Sequence, residues 1–155
     1  MIFPTITTKD LNGDTKTLPN DFTGELNFIL LAYDQWHQQE VDTWLPFIEE
    51  VRQEMPTFEH YELPLVGNMG WMGQKQLDFW MRRAIPDLDT RSRTLTLYTD
   101  RADFRAKLDV PDENHIALFL LDAEGEILWR GEGAYTTETA IALVSKMNEL
   151  QGVLA

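Results

Sequence analysis

The sequence predicts an α/β fold: a mixed central sheet with helices on both faces, opened by a β-hairpin and closed by a β-hairpin and a helix. Three observations carry this expectation. Residues 26–33 (LNFILLAY) and 116–121 (IALFLL) are apolar almost throughout, as strands covered on both faces are. From Trp36 the period changes, and Val41, Trp44, Leu45, Ile48, Val51 and Met55 recur at the three- and four-residue spacing of a helix. Turn signals at Asn12-Gly13 and in DAEGE (122–126) place tight hairpins near both ends.

The elements follow in order. Residues 2–18 alternate weakly around Asn12-Gly13-Asp14, the first hairpin, and PNDFTG (19–24) is a connector. The first apolar strand runs into a long helix that Met55-Pro56 closes, because the residue before proline is pushed out of the helical region. Pro46 lies inside that helix and predicts a kink. YELPLV (61–66) is a strand, with Pro64 marking an edge or an irregularity. GNMGWMG (67–73) is a glycine-rich loop without the spacing of a phosphate-binding motif. Residues 74–85 are expected to be helical, with Leu77, Trp80, Met81 and Ala84 inward, and Pro86 ends them.

TLTLYT (94–99) alternates at period two, a half-buried strand. Asp100 is placed to cap a short helix over 101–108. IALFLL and ILWR form the closing hairpin, and the last helix spans about 137–150 with Ile141, Val144 and Leu150 inward. No repeat or linker divides the chain, so residues 1–155 are expected to form one domain.

Composition removes several functions. The net charge of −13 opposes binding to nucleic acid or an anionic membrane. Seven basic and four acidic residues between Arg82 and Lys107 make that segment +3, leaving −16 elsewhere. This is either a solvated face or a basic docking patch on an acidic body. The acid excess is also compatible with adaptation to salt. With no cysteine there is no disulfide, no thiolate nucleophile and no thiol-ligated metal. The first ten residues lack the basic flank and apolar core of a signal peptide, and no apolar run is long enough to span a bilayer. The expected location is the cytoplasm.

The order of elements resembles the thioredoxin-like superfamily, especially its peroxiredoxin-like and thiol-reductase branches. HIALFLLDAEGEILWRGEG is similar to that family's closing hairpin, with Asp122, Gly125 and Gly133 at its turn and end positions. Phe3-Pro4, Leu11-Asn12-Gly13 and Gly24 fit the opening, Trp36 the tryptophan before the active-site helix, and Pro46 its kinking proline. Two signatures are absent. The cysteine positions fall on His37 and Glu40 counted from Trp36, or on Gln38 and Val41 counted back from Pro46. The family's cis-proline would fall near His115-Ile116, and the nearest proline is Pro111.

A narrower resemblance is to the mitochondrial ATP-synthase assembly chaperone family. It rests on HYELPLV (60–66), MRRAIP (81–86), and Ile127, Trp129 and Gly131. It implies a protein that escorts a partner subunit without redox chemistry.

His37 and Glu40 lie three residues apart at a helix start, within mutual reach. Such a pair suits a metal or general-base site. Equally, His37 shares a helix face with Trp44 and Ile48, as a structural histidine would. Asp34, Glu40 and Asp42 suit a helix N-terminus through the macrodipole. Trp71 and Met72, flanked by glycines, fit either a lid over the core or an interface.

The resulting expectation is a non-catalytic domain that binds a protein or peptide, with contacts at Trp36, Trp71, Met72, Arg82, Arg83 and Arg93. It assigns no cofactor, no metal, no nucleic acid and no membrane span. The alternative is a cysteine-free enzyme built on His37 and Glu40, with or without a metal.

Overall fold

The computed structural model describes the backbone of residues 1–154 and the side chains of residues 1–150. β1 (Ile6–Lys9) and β2 (Thr15–Leu18) form an antiparallel hairpin. Buried Asp10 holds its turn, since its Oδ1 accepts the N–H groups of Asn12 (2.9 Å) and Asp14 (3.0 Å). This is how an aspartate mimics a backbone turn.

β3 (Leu26–Ala32) is central. It pairs in parallel with β4 (Phe58–Pro64) and antiparallel with β5 (Ala117–Asp122), which pairs antiparallel with β6 (Ile127–Glu132). The sheet order is β4-β3-β5-β6, a mixed sheet as expected. Asn27 is the one polar residue of β3 and is fully buried. Its amide accepts the Gly24 N–H (2.9 Å) and donates to the Gly24 carbonyl (3.0 Å). A Cβ on Gly24 would lie 2.6 Å from the Leu26 carbonyl oxygen, so only glycine fits the approach to β3.

Period-two alternation splits the core between the two sheet faces. On one face Phe28, Leu30, Leu118 and Leu120 pack against α1 (His37–Glu54), through Val41, Trp44 and Ile48, and against α5 (Thr137–Leu154). On the other, Ile29, Leu31, Leu63, Phe119 and Leu121 meet Phe3, Phe22 and Phe104 of α4 (Arg101–Lys107). Helices therefore cover both faces. Asp100 caps α4 as expected, accepting the Asp103 N–H at 2.8 Å.

Four local expectations are corrected. Residues 94–99 do not form a continuous strand. They run parallel to β4 as isolated bridges at Glu62–Thr94 and Leu65–Leu97. The ladder is in register on both sides of Pro64, with Leu95 N–H donating to Glu62 and Leu97 N–H to the Pro64 carbonyl. Pro64 has no N–H to return, and that gap breaks the strand.

The second correction concerns α2 (Trp71–Ala84), which begins three residues before Gln74, so Trp71 to Gly73 form its first turn rather than a loop. Its inward residues include Leu77 and Met81, whereas Trp80 and Ala84 face solvent. Third, Leu45 on α1 and Ile141 and Val144 on α5 are exposed, while Ala140, Leu143 and Met147 fill the core. Fourth, a short helix α3 (Leu88–Ser92), capped by Asp87, was not anticipated. Asp87 Oδ2 accepts the Thr90 N–H at 2.9 Å.

Candidate functional site

Candidate site residues gather in two regions, the β3–α1 junction and the outer face of α2.

At the junction the chain turns through Tyr33 to Trp36 into α1. His37 is fully buried there. Its Nδ1 accepts two backbone N–H groups, from Tyr33 (3.1 Å) and Asp34 (3.0 Å). Both bonds need a lone pair on Nδ1, so the ring proton sits on Nε2, which is buried without a partner. Half-exposed Trp36 covers the ring at a centroid distance of 4.1 Å. The Tyr33 hydroxyl, beside it, is pushed up to about 12, chiefly by burial.

Glu40 turns away from His37. Its Oε1 accepts the Ile116 N–H (3.0 Å), and its Oε2 lies 2.8 Å from His115 Nδ1. The structure therefore separates His37 from Glu40 and pairs Glu40 with the segment that enters β5. The carboxylate ties the start of α1 to the point where the resemblance placed a cis-proline. Among the described residues, the cis peptide bond is Leu18-Pro19.

Glu40 raises the pKa of exposed His115 through a hydrogen bond and its charge. A histidine pKa raised on folding favours the native state below its unfolded value, and that contribution disappears as pH rises through the folded pKa. Glu40→Gln keeps an oxygen for Ile116 but removes the charge. A proton NMR titration of the His115 ring should then show its pKa falling back toward 6.5. A ring that titrates as in the wild type would disprove the pairing.

Among the described residues no group of three or more His, Asp or Glu side chains is placed to hold a metal ion. A cavity of about 250 Å³ lies beside His115, lined by Val110, Phe119 and Arg130 among others.

On the sheet face that α1 covers, β4 carries two shifted groups. Burial, then Asp42, pushes Glu62 up to about 7. Burial, then Arg93 and Arg52, pushes His60 down to about 4. Arg93 is itself committed inside the fold. It pairs with Glu59 and Asp89 and donates to the His60 carbonyl, so it braces β4 rather than facing a partner.

α2 lies over residues 94–98 on that same face. Met81 Sδ accepts from Thr96 Oγ1 (3.7 Å), and the Tyr98 hydroxyl donates to Asp78 (2.5 Å). The helix has no fully buried residue and no side-chain cap at its N-terminus. Its outer face exposes Trp71 (67%), Met72 (70%), Phe79 (52%) and Trp80 (58%). Helical geometry sorts these into two adjoining columns. One reads Trp71, Lys75, Phe79, Arg83; the other Met72, Gln76, Trp80. In the first, the Lys75 ammonium lies 4.9 Å from the Trp71 ring and the Arg83 guanidinium 5.7 Å from Phe79. Between α2 and the β1–β2 hairpin is a cleft of about 500 Å³, lined by Thr7, Lys9, Trp71, Lys75, Asp78 and Tyr98 among others.

The structure thus gathers Trp71, Met72, Arg82 and Arg83 on one helix, leaves Trp36 at the junction and withdraws Arg93. Sequence reasoning missed Lys75, Phe79 and the outward turn of Trp80. The signal was present: Phe79 and Trp80 stand eight residues beyond Trp71 and Met72, the same side of a helix.

No protein-family model and no curated protein match the chain. Solved structures do. The pneumococcal exposed lipoprotein thioredoxin from Streptococcus pneumoniae matches with a TM-score of 0.58 at 16% identity, covering 93% of this chain and 99% of that one. The thioredoxin domain of a thiol-disulfide oxidoreductase from Bacteroides vulgatus gives 0.57 at 19%, with 95% of each chain covered. StoA from Bacillus subtilis gives 0.57 at 14%, covering 94% and 98%. These matches lend no support to the narrower chaperone resemblance. With the sheet order, the junction and these likenesses together, the chain has the thioredoxin-like fold.

Proposed function

We propose that this chain is a cysteine-free thioredoxin-like domain that binds a protein partner through the outer face of α2, in an escort, assembly or regulatory role. The observation that carries this reading is the exposure of two tryptophans, a phenylalanine and a methionine on one helix that buries none of its residues fully. Large apolar side chains grouped on one exposed face mark interaction surfaces, and Trp and Arg dominate interface energetics. The junction supports it by contrast. Its histidine is occupied by backbone groups and its carboxylate by His115 and Ile116, so neither is free for a substrate.

A photo-crosslinking amino acid at Met72, with the same group at exposed Glu138 on α5 as control, tests the reading in the host cell. Discrete protein adducts are expected from position 72 only. Adding Trp71→Ser and Trp80→Ser should reduce them at least tenfold, while changing stability by less than about 1 kcal/mol. No adduct at position 72, or the same adducts from both positions, would refute it.

A further inference from the structure

The chemistry of the partner can be read from the charges on α2. The body of the protein is strongly acidic, yet this helix carries Lys75, Arg82 and Arg83 against the single carboxylate Asp78. Asp78 is turned inward to the Tyr98 hydroxyl, so the outer face carries three cations and no anion. Among the described residues none of the three cations has a carboxylate within ion-pair distance; Lys75 lies against the Trp71 ring and Arg83 against the rings of Phe79 and Trp80.

The N-terminus of the helix adds to this. No acidic residue lies in the first turn and no side chain caps it, so its N–H groups carry uncompensated positive charge. Cations at Arg82 and Arg83 suit the helix C-terminus on their own account. Lys75, in the N-terminal half, does not; it opposes the helix dipole.

We infer that the occupant of this face is an acidic amphipathic segment of a partner protein, with apolar anchors spaced between carboxylates. The inference rests on the reading of α2 as a docking surface and deepens it. The column Trp71, Lys75, Phe79, Arg83 alternates ring and cation, and its complement alternates an apolar side chain with a carboxylate at helical spacing. Each cation keeps its ring contact and turns its remaining N–H donors to a carboxylate. The cleft beside Trp71 and Lys75, with Lys9 on its far wall, has room for one anchor side chain. A second copy docking α2 against α2 would set three cations against three. A basic segment is repelled by this face and drawn to the acidic remainder of the chain instead. An anionic membrane would attract this helix but repel the rest of the chain, whose net charge is −15.

Two synthetic 20-residue amphipathic peptides with the same Leu/Phe face test the proposal, one with glutamate and one with lysine on the polar face. They are titrated into the intact protein with tryptophan emission as the signal. The glutamate peptide should bind at least tenfold more tightly, and more weakly as salt rises. Lys75→Glu/Arg82→Glu/Arg83→Glu should remove that preference, and the milder Lys75→Gln/Arg82→Gln/Arg83→Gln should weaken it at unchanged helix content. Equal binding of both peptides, or tighter binding of the lysine peptide, overturns the acidic partner. So does binding to phosphatidylcholine vesicles containing one-third phosphatidylglycerol that those variants abolish, or self-association in sedimentation that Trp80→Ser abolishes. If crosslinks form at Met72 to a segment without acidic residues, this inference fails while the docking surface stands.

Discussion

His37→Ala is expected to lower stability by about 3–5 kcal/mol. The substitution removes the acceptor from two backbone N–H groups, at Tyr33 and Asp34, and leaves a void under Trp36. An orphaned buried donor costs about 1–3 kcal/mol, and the cavity adds to it. In a chain of this length Tm should fall by roughly 10 °C. Two further variants isolate the cause. His37→Asn places a carbonyl oxygen close to the Nδ1 position and should recover part of the loss. His37→Phe fills the space but accepts nothing, and should stay near the alanine variant despite its greater hydrophobicity. If Phe is more stable than Asn in thermal and urea unfolding, the imidazole serves as filler and its hydrogen bonds do not matter.

The second large effect concerns Glu62 and His60, whose titrations oppose one another. Glu62 ionises near 4.5 in the unfolded chain and about 7 in the fold, so native stability falls as pH rises across that window. The shift corresponds to about 3 kcal/mol. His60 ionises near 6.5 unfolded and about 4 folded, so stability falls as pH drops across that range. Between about 4.5 and 6.5 the two slopes cancel, and this pair leaves the wild type nearly level. Glu62→Gln should be more stable than the wild type above pH 7, by up to about 3 kcal/mol, and should lose stability steeply below pH 6.5. Urea unfolding at pH 4.5, 6 and 8 measures both. A constant difference across the three would show that Glu62 does not titrate in the native range.

The parts of the fold that were legible share one property: local pattern and tertiary environment demand the same thing. LNFILLA can only be covered on both faces, and the change of period at Trp36 admits one reading. Where the pattern left a choice, the outcome depended on what lay opposite. On α5, Ile141 and Val144 repeat at the same spacing as Ala140, Leu143 and Met147, so two stripes competed and packing against Leu118 and Leu120 selected one. On α2 the apolar residues outnumber the room beneath them. Polar anchors decide instead, with Asp78 on Tyr98 turning Leu77 inward and Trp80 out.

The site was legible by residue type and illegible by pairing. A histidine and a glutamate three apart suggest each other, but one is drawn in by backbone donors and the other by a histidine 75 residues away. Glu62 gave no signal at all, standing as one carboxylate within YELPLV.

The loose seating of α2 has a consequence for how this protein can change. The helix has no extensive backbone contact with any named strand or helix; it is pinned by a few side chains, Thr96 and Tyr98 along its length and Arg91, which donates to the Arg82 and Ile85 carbonyls, at its C-terminal end. The two cores close without it, so α2 is expected to open at a lower free energy than the whole, which native-state hydrogen exchange of its amides would measure. Substitutions on its outer face and substitutions in the cores should then act independently on stability. On the proposed docking role, recognition would drift in α2 while the cores hold the fold constant, leaving the scaffold free to acquire new partners by changes to one helix.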